Sequence, residues 1–354
     1  MYMIIYICLN MNLNILLNFF NYIIFIPMLI ISSLMIFISN SWFTQWMIME
    51  FNLIGFMSLM IFDKKMNSMN SMNYFLVQSF NSYIFIMFSM NLNFLSELLN
   101  NMFLFLINLC LLTKMGLPPF YIWYVKIMKY LNWMNLFFLM TIQKIIPLII
   151  LKNLINFKNL LIMKFNMLNI IYMSFLCALF GLNMMNLKML MSYSSIIQMS
   201  WILMLMYFNE LICLIYLLIY MFISLTLILI LNKFNLNYLN NLNLFKFQYN
   251  WMNIFYFFIM FSMASIPPVF GFMLKWISIQ SMFYQFTFFS MLIMIFNSLI
   301  SMFFYLRLMF IMLMNLSMNM KLNFLNVNFY VNEKFNLLML VWFMLMMLLL
   351  YEIF

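Results

Sequence analysis

The chain has 354 residues, of which 69% are hydrophobic and 6% charged, and its mean hydropathy is +1.09. A water-soluble domain of this size cannot hide so much apolar surface, so that class is excluded. The net charge of +10 does not indicate nucleic-acid binding, because the basic residues are spread as ones and twos and form no patch. Near-continuous apolar runs instead predict an all-α polytopic membrane protein.

The apolar runs predict about eleven transmembrane helices in a single membrane domain that covers residues 1–354. In chain order they lie at about 14–38, 42–62, 72–95, 98–121, 134–151, 165–183, 189–208, 210–232, 251–276, 284–312 and 336–353. Asn-rich stretches between them predict interhelical loops, since Asn favours turns. The first forty residues lack a basic n-region, so we expect a full-length span there and no cleavable signal.

Two proline pairs indicate an internal repeat. Pro118-Pro119 interrupts the fourth predicted span and Pro267-Pro268 the ninth, and each is the fourth helix of a five-helix half. The two halves and the extra C-terminal helix cover about 14–151, 165–312 and 336–353. Because five is odd, such repeats are inverted in the membrane, and broken helices at matching positions mark a transport path. Chance is the alternative, since membrane helices tolerate proline.

The residue bias and the basic residues predict location and orientation. An excess of 47 methionines, with Asn, Ile and Phe favoured over Ala, Gly and Arg, is typical of an AT-rich mitochondrial gene. The positive-inside rule then favours an N-terminus in the matrix, with ten of the 16 basic residues at that side and three within the membrane. The exceptions at the opposite side are Lys152, Lys158 and Lys164. Codon bias also means that single Asn residues deserve little functional weight.

The residue inventory limits cofactor chemistry. Histidine is absent, which removes the usual haem ligands, most zinc and copper sites and any imidazole relay. The four cysteines show no CxxC spacing and predict small buried hydrophobes: Cys8, Cys110, Cys177 and Cys213. We therefore expect this chain to bind no cofactor and no metal.

Four ionisable residues fall inside predicted spans: Glu50, Lys114, Lys144 and Lys275. A charge at mid-bilayer costs about 2.5–3.5 kcal/mol on insertion scales, and the usual reason for keeping it is a path for protons or ions. Glu50 is functional only if a nearby lysine keeps it charged; otherwise it is a structural hydrogen-bonding residue. Lys144 is the best candidate for a proton carrier, because a buried amine can alternate between its charged and neutral forms.

The other two lysines adjoin the helix breaks. Lys114 precedes the first break, where freed carbonyl groups can bind water or a cation. Lys275 follows the second break. For both residues the alternative is a side chain that snorkels to the interface, in the case of Lys275 beside Trp276.

Further polar residues favour structural roles. Asp63-Lys64-Lys65 ends the second span and predicts a solvated helix cap. The remaining acidic residues are expected at the exposed outer face: Glu97, Glu210 and Glu352. A polar relay could use Ser194, Ser195 and Gln198, although such residues also hold helices together.

Five motifs follow one another across roughly residues 40–310. They are Ser41-Trp-Phe…Trp46…Glu50, Lys114-Met-Gly-Leu-Pro-Pro-Phe120…Trp123, Gln143-Lys-Ile-Ile-Pro147, Ser192-Tyr-Ser-Ser-Ile-Ile-Gln-Met-Ser-Trp201 and Ile266-Pro-Pro-Val-Phe-Gly-Phe-Met-Leu-Lys-Trp276, with a weaker Phe304-Tyr-Leu-Arg-Leu308. In order and spacing they resemble the antiporter-like membrane subunits of respiratory complex I. The resemblance implies eleven helices, inverted repeats with two broken helices, and proton translocation coupled to NADH oxidation and ubiquinone reduction elsewhere in the complex.

The resemblance also implies roles and partners. Glu50 would pair with Lys114, Lys144 would continue a central polar axis, and Lys275 would serve the outer half-channel. Other membrane subunits of the complex and lipids would be the partners, in the inner mitochondrial membrane. The chain itself would bind no NADH, iron–sulfur cluster or nucleic acid.

The chain departs from the family at several positions. The family usually has His where Tyr121 and Gln198 stand, and Pro-Glu-Val where this chain has Val125-Lys126-Ile127. Ser, Tyr and water would therefore have to connect the lysines. Two other functions stay open: a non-pumping structural spacer of the same complex, and another antiporter-like cation or proton transporter. The longer members of the superfamily fit this length less well.

Overall fold

The computed structural model describes residues 22–63, 66–92, 97–117, 119–155, 160–239, 241, 250–267, 269–283 and 288–322. Within these ranges the regular elements are α-helices, and the extended pairing is a single bridge between Asn186 and Tyr238. The helices are α1 (Tyr22–Met35), α2 (Trp42–Ile61), α3 (Ser68–Met90), α4 (Glu97–Met115), α5 (Ile122–Tyr130), α6 (Trp133–Met140), α7 (Ile142–Ile155), α8 (Leu160–Leu182), α9 (Leu187–Met206), α10 (Glu210–Lys233), α11 (Asn250–Ala264), α12 (Phe270–Met282) and α13 (Phe288–Leu322).

The helices confirm the all-α membrane architecture. Predicted spans five and nine each become two helices, α6 with α7 and α11 with α12. Predicted span four corresponds to α4 and the break after it, and α5 begins just beyond that span at Ile122. Segments long and apolar enough to cross a membrane are Trp133–Ile155, Ile162–Leu182, Leu187–Met206, Glu210–Lys233 and Phe289–Met314. The predicted helix at 336–353 lies outside the described residues.

Helix α9 forms the centre of the bundle. It contacts α5, α6, α8, α10, α12 and α13, and it is buried along almost its whole length. A helix surrounded on all sides has no polar face, so its polar residues must be satisfied internally. Its serine hydroxyls donate to carbonyl oxygens three residues earlier, as in Ser195 to Ser192 (2.7 Å) and Ser200 to Ile197 (2.6 Å). This arrangement places hydroxyl groups in the apolar interior.

The break between α4 and α5 begins with a left-handed turn at Gly116, whose φ is +66°. The amide of Gly116 donates to the carbonyl of Thr113 (3.0 Å), and that of Leu117 to Leu112 (3.1 Å). This pair of bonds is a Schellman motif, which ends a helix and favours glycine. A Cβ atom at Gly116 would lie 2.6 Å from Cβ of Tyr124, so the turn also requires a residue without a side chain.

The break between α11 and α12 begins with the same turn, built on Ser265 with φ +57°. Here Ser265 donates to Ser262 (3.2 Å) and Ile266 to Phe261 (3.2 Å). The two predicted breaks are thus present and share one backbone geometry. In the sequence one residue separates each turn residue from the proline pair that follows it. Pro118 of the first pair and Pro268 of the second lie outside the described residues.

A third interruption, which the sequence analysis did not predict, separates α6 from α7 at Thr141. The amide and the hydroxyl of Thr141 both donate to the carbonyl of Phe137, at 3.1 and 2.8 Å. Pro147 lies inside α7 and has no N–H to donate to the carbonyl of Gln143, which weakens the helix near this point. Lys144 consequently lies in the first turn of a new helix.

Asp63 corrects one prediction. It is 4% exposed, so it is not a solvated cap, and its carboxylate accepts from the amide of Asn132 (3.0 Å) and the side chain of Asn135 (3.1 Å). The side-chain amide of Asn132 donates to it as well. The N-terminus of α6 presents free N–H groups and a positive dipole end, which attract a carboxylate into the interior. Lys64 and Lys65 lie outside the described part of the chain.

Candidate functional site

Glu50 lies at the middle of α2 and is half-buried. Its Oε1 atom is buried and accepts no hydrogen bond from the described residues. Lys152 and Glu210 form an ion pair (2.6 Å) near the surface, whereas Glu50 and Lys114 form none in the described part of the chain. The charges of Glu50 and Lys114 nevertheless interact electrostatically. The two residues are therefore neighbours without direct contact.

Lys114 occupies the last turn of α4 and is buried. Its Nζ atom donates to the thioether sulfur of Met49 at 3.3 Å, and Met49 directly precedes Glu50 in α2. A thioether is a weak acceptor, so this contact leaves most of the hydrogen-bonding capacity of the ammonium unused. The side chain does not snorkel to an interface; it points at the helix that carries the glutamate.

The carbonyl groups freed by the first break are occupied by side chains. The indole of Trp123 donates to the carbonyl of Thr113 (3.1 Å), and the amide of Gln78 donates to that of Lys114 (3.2 Å). The sequence predicts that such carbonyls can bind water or a cation. At these two positions α3 and α5 supply the donors instead, which fixes the end of α4 between them.

Lys144 is the most enclosed of the three lysines, with 2% of its surface exposed. Its Nζ lies 4.4 Å from the centroid of the Tyr124 ring and donates to Oγ of Ser195 at 3.4 Å. In the described chain no carboxylate pairs with it. Lys144 is thus a buried amine held by an aromatic face and a hydroxyl group.

Gln143, next to Lys144, connects this lysine to the helix of Glu50. Its amide donates to the side-chain oxygen of Asn52 (2.9 Å), and its own oxygen accepts from the hydroxyl of Tyr74 (3.3 Å). Asn52 lies two residues after Glu50 in α2. The side chain of Gln143 therefore forms a polar bridge between α2, α3 and α7.

Lys275 lies in α12 and is 5% exposed. Its Nζ donates to the hydroxyl of Ser265, the residue with positive φ at the second break. Trp276 is 57% exposed and faces outward. The lysine thus turns back into the bundle while its neighbour faces out, which does not fit an interfacial snorkel.

The four predicted residues are not gathered in one place. Glu50 lies beside Lys114, Lys144 joins Ser195, and Lys275 joins the second break. Of the three relay candidates, Ser195 contacts a lysine, whereas Ser194 donates to the carbonyl of Met191 (2.9 Å) and Gln198 accepts from Tyr216 (2.6 Å).

Sequence reasoning missed three residues of the site: Asn52, Tyr74 and Tyr124. Tyr124 directly follows a quoted motif, but nothing in its spacing indicated that it lies against Lys144. Asn52 was discounted because codon bias makes Asn abundant. The described residues contain no group of three or more Cys, Asp or Glu able to hold a metal.

The fold and these buried lysines define a class: a helical membrane protein whose interior carries ionisable groups beside broken helices. The transmembrane family described as NADH:quinone oxidoreductase/Mrp antiporter matches residues 39–301. NADH-ubiquinone oxidoreductase chain 2 of Anopheles gambiae is 34% identical over 297 residues, covering 80% of this chain and 84% of that protein. The protein of the same name from Aedes aegypti is 36% identical over 329 residues, covering 89% and 92%.

A solved structure shows the same fold. A chain of respiratory complex I from Thermus thermophilus with bound aureothin superposes with a TM-score of 0.72 at 17% identity, over 83% of this chain and 70% of that one. The present chain belongs to the NADH:quinone oxidoreductase/Mrp antiporter membrane family and, within it, to the NADH-ubiquinone oxidoreductase chain 2 proteins.

Proposed function

We propose that this chain translocates protons as a membrane subunit of respiratory complex I in the inner mitochondrial membrane. NADH oxidation and ubiquinone reduction take place elsewhere in the complex, and this chain supplies part of the proton path. The observation that carries the proposal is the set of three lysines buried in the bundle interior, each next to an interrupted helix and none in an ion pair within the described residues. An ionisable group kept at this depth is a functional site by default.

Lys144 acts as the central proton carrier in this proposal. Its contacts, an aromatic face and a neutral hydroxyl, can hold either the ammonium or the amine, whereas a carboxylate partner would hold only the charged form. Moving one charge against the membrane potential costs about 2.3 kcal/mol per 100 mV. A change of one pKa unit in a carrier is worth about 1.36 kcal/mol, so small changes in its surroundings are of the right size to drive transfer.

Glu50 and Lys114 act as the switching pair. A closed pair favours the charged lysine, and an open pair lowers the affinity of that lysine for a proton. The separated arrangement, with Nζ of Lys114 on Met49 and a buried oxygen of Glu50 without a donor, corresponds to the open state. Both groups have bonding capacity left for closure, which supports this assignment.

Lys275 acts as the group of the outer half-channel. Its hydrogen bond to Ser265 connects it to the second helix break, as Lys114 adjoins the first. This correspondence supports inverted repeats over about 14–151 and 165–312, since both breaks begin with the same Schellman turn. The additional helix at about 336–353 completes the eleven spans of the proposal.

The N-terminus faces the matrix in this proposal. Asp63, which follows the second predicted span, and Lys188, which precedes the seventh, would both lie at the matrix side. They bind neighbouring residues: Asp63 accepts from Asn132, and Lys188 donates to the carbonyl of Leu131 (2.6 Å). The pair of Lys152 and Glu210 belongs to the opposite side, where both were expected. Residues predicted to lie on the same side of the membrane thus have contacts with one another or with neighbouring residues, as a consistent topology requires.

Other membrane subunits of the complex and lipids are the proposed partners. Large apolar side chains are more than half exposed on several helices, which fits contact with acyl chains or apolar helices. Examples are Ile23, Phe80, Leu211, Phe289 and Phe310.

The test is replacement of Lys144 by Met in the complete complex, reconstituted into sealed liposomes. We expect NADH oxidation to continue with fewer protons translocated per electron, because Met fills the space but carries no proton. Lys164→Met is the matched control, since Lys164 is exposed on α8. Unchanged protons per electron in Lys144→Met would defeat the carrier role and favour the non-pumping spacer.

A further inference from the structure

Among the described residues, the buried ammonium of Lys144 forms no ion pair with a carboxylate. Glu50 lies instead beside Lys114, because the ammonium of Lys114 contacts Met49, the residue that precedes Glu50. A buried charge without compensation is strongly disfavoured. For Lys144 to take up a proton at all, something in its surroundings must therefore stabilise its charged form.

The ring of Tyr124 meets that requirement. The face of an aromatic ring carries negative quadrupole charge, and a cation over it is most strongly attracted when both groups are shielded from water. Nζ of Lys144 lies 4.4 Å from the ring centroid, and the two residues are 2% and 1% exposed. The contact is therefore well inside cation–π range and fully desolvated.

The hydrogen bonds of Ser195 hold the Tyr124 ring in place. The Ser195 hydroxyl donates its one hydrogen to the carbonyl of Ser192 (2.7 Å), which leaves its lone pairs as acceptors. The hydroxyl of Tyr124, 2.7 Å away, must then donate to Ser195, as does the ammonium of Lys144 at 3.4 Å. One serine on the central helix α9 thus positions both the ring and the cation.

The backbone of the first break holds the other end of the side chain. Gly116 packs so closely on Tyr124 that an added Cβ would lie 2.6 Å from Cβ of the tyrosine. Gly116 lies two residues after Lys114. Tyr124 therefore touches the break that carries one lysine and the ammonium of the next.

We propose that Tyr124 is the positioning residue of Lys144: its ring face takes the place of an acidic counterion, and its bond to Ser195 holds that face under the ammonium. The inference rests on the proposed function, since it concerns how the proton carrier is kept chargeable. In this inference the aromatic face of Tyr124 is essential for the charged form of Lys144, whereas the Tyr124 hydroxyl only helps to position the ring.

The test compares Tyr124→Leu, which removes the ring, with Tyr124→Phe, which keeps it, in the complete reconstituted complex. We expect Tyr124→Leu to lower the number of protons translocated per electron toward the value of Lys144→Met. Tyr124→Phe should retain most of the parental value. In the Lys144→Met background, Tyr124→Leu should cause no further loss, because interacting residues are not additive. Phe85→Leu is the matched control: it removes a ring that is equally buried and over which no lysine lies in the described chain.

Each outcome decides the inference. Parental pumping in Tyr124→Leu, equal losses in Tyr124→Leu and Tyr124→Phe, or a further loss in the Lys144→Met background would each overturn it. If Tyr124→Leu does not assemble, Tyr124→Met makes the same comparison with a longer, unbranched side chain that adapts better to the space of the ring. Unchanged pumping in Lys144→Met defeats the proposed function itself, whereas a loss there with parental Tyr124→Leu defeats the inference alone.

Discussion

The two helix breaks have the same backbone and different side chains. Both begin with a Schellman turn at a residue with positive φ, Gly116 in the first and Ser265 in the second. At the first break the lysine precedes the turn, and Gln78 and Trp123 donate to the carbonyl groups at the end of α4. At the second break the lysine follows the turn and donates to the side chain of the turn residue itself.

At the two breaks the same backbone turn thus occurs with different polar contacts, so the turn does not determine where the lysine lies or what it binds. Glycine is needed for conformation at Gly116, whereas at the second break Gly271 allows close approach, since an added Cβ would lie 1.8 Å from the carbonyl oxygen of Ser262. The first break is held by a neighbouring helix, α3, as well as by its own second segment, α5, whereas the second break is held by its own two segments alone. The two breaks should therefore respond differently to substitution.

The largest effect is expected at the close approach in the second break. Gly271→Ala places a methyl group against the backbone of α11, which cannot move aside as a side chain can, so we expect a loss of about 3 kcal/mol or more. The amount of assembled complex on native gels measures it. Gly55→Ala is the control, because its Cβ would meet only the flexible end of Leu29 at 3.0 Å. Equal assembly of both variants would contradict the close-packing role.

A smaller effect is expected where a neighbouring helix supports the first break. Gln78→Leu leaves the buried carbonyl of Lys114 without its donor, which costs about 1–3 kcal/mol. The midpoint of thermal inactivation of the solubilised complex should fall accordingly. Ser79→Ala, on the same helix, removes only a local bond to Leu76 and should change the midpoint little. If the two variants behave alike, the first break does not depend on α3.

The smallest effect tests whether the second turn is strained. Ser265→Gly and Ser265→Ala both remove the acceptor of Lys275, but only alanine keeps a Cβ at φ +57°. The glycine variant should therefore be more stable by about 1 kcal/mol, the usual cost of a left-handed residue with a side chain. Thermal midpoints of the two variants measure the difference. An alanine variant that equals or exceeds the glycine variant would show that Ser265 is unstrained.

The polar side chains at the site were the part least accessible from the sequence. The motif that contains Gln143 assigns no role to that residue, and Asn is too common in this chain for Asn52 to stand out. Burial decides which of many Asn and Gln residues matter, and burial depends on which helices become neighbours. The hydroxyl of Ser195 was considered as a relay group, but its two partners come from α5 and α7, far apart in sequence.

The sequence by itself determined the membrane class, most of the helix positions, both proline-marked breaks and the four costly charges. These follow from local properties: apolar run length, the missing N–H of proline, and the price of charge in hydrocarbon. Only the tertiary structure decided that Glu50 and Lys114 stand apart, that Asp63 is buried at the start of α6, and that an aromatic ring supports Lys144. Those outcomes depend on contacts between helices distant in the chain, which hydropathy and spacing do not encode.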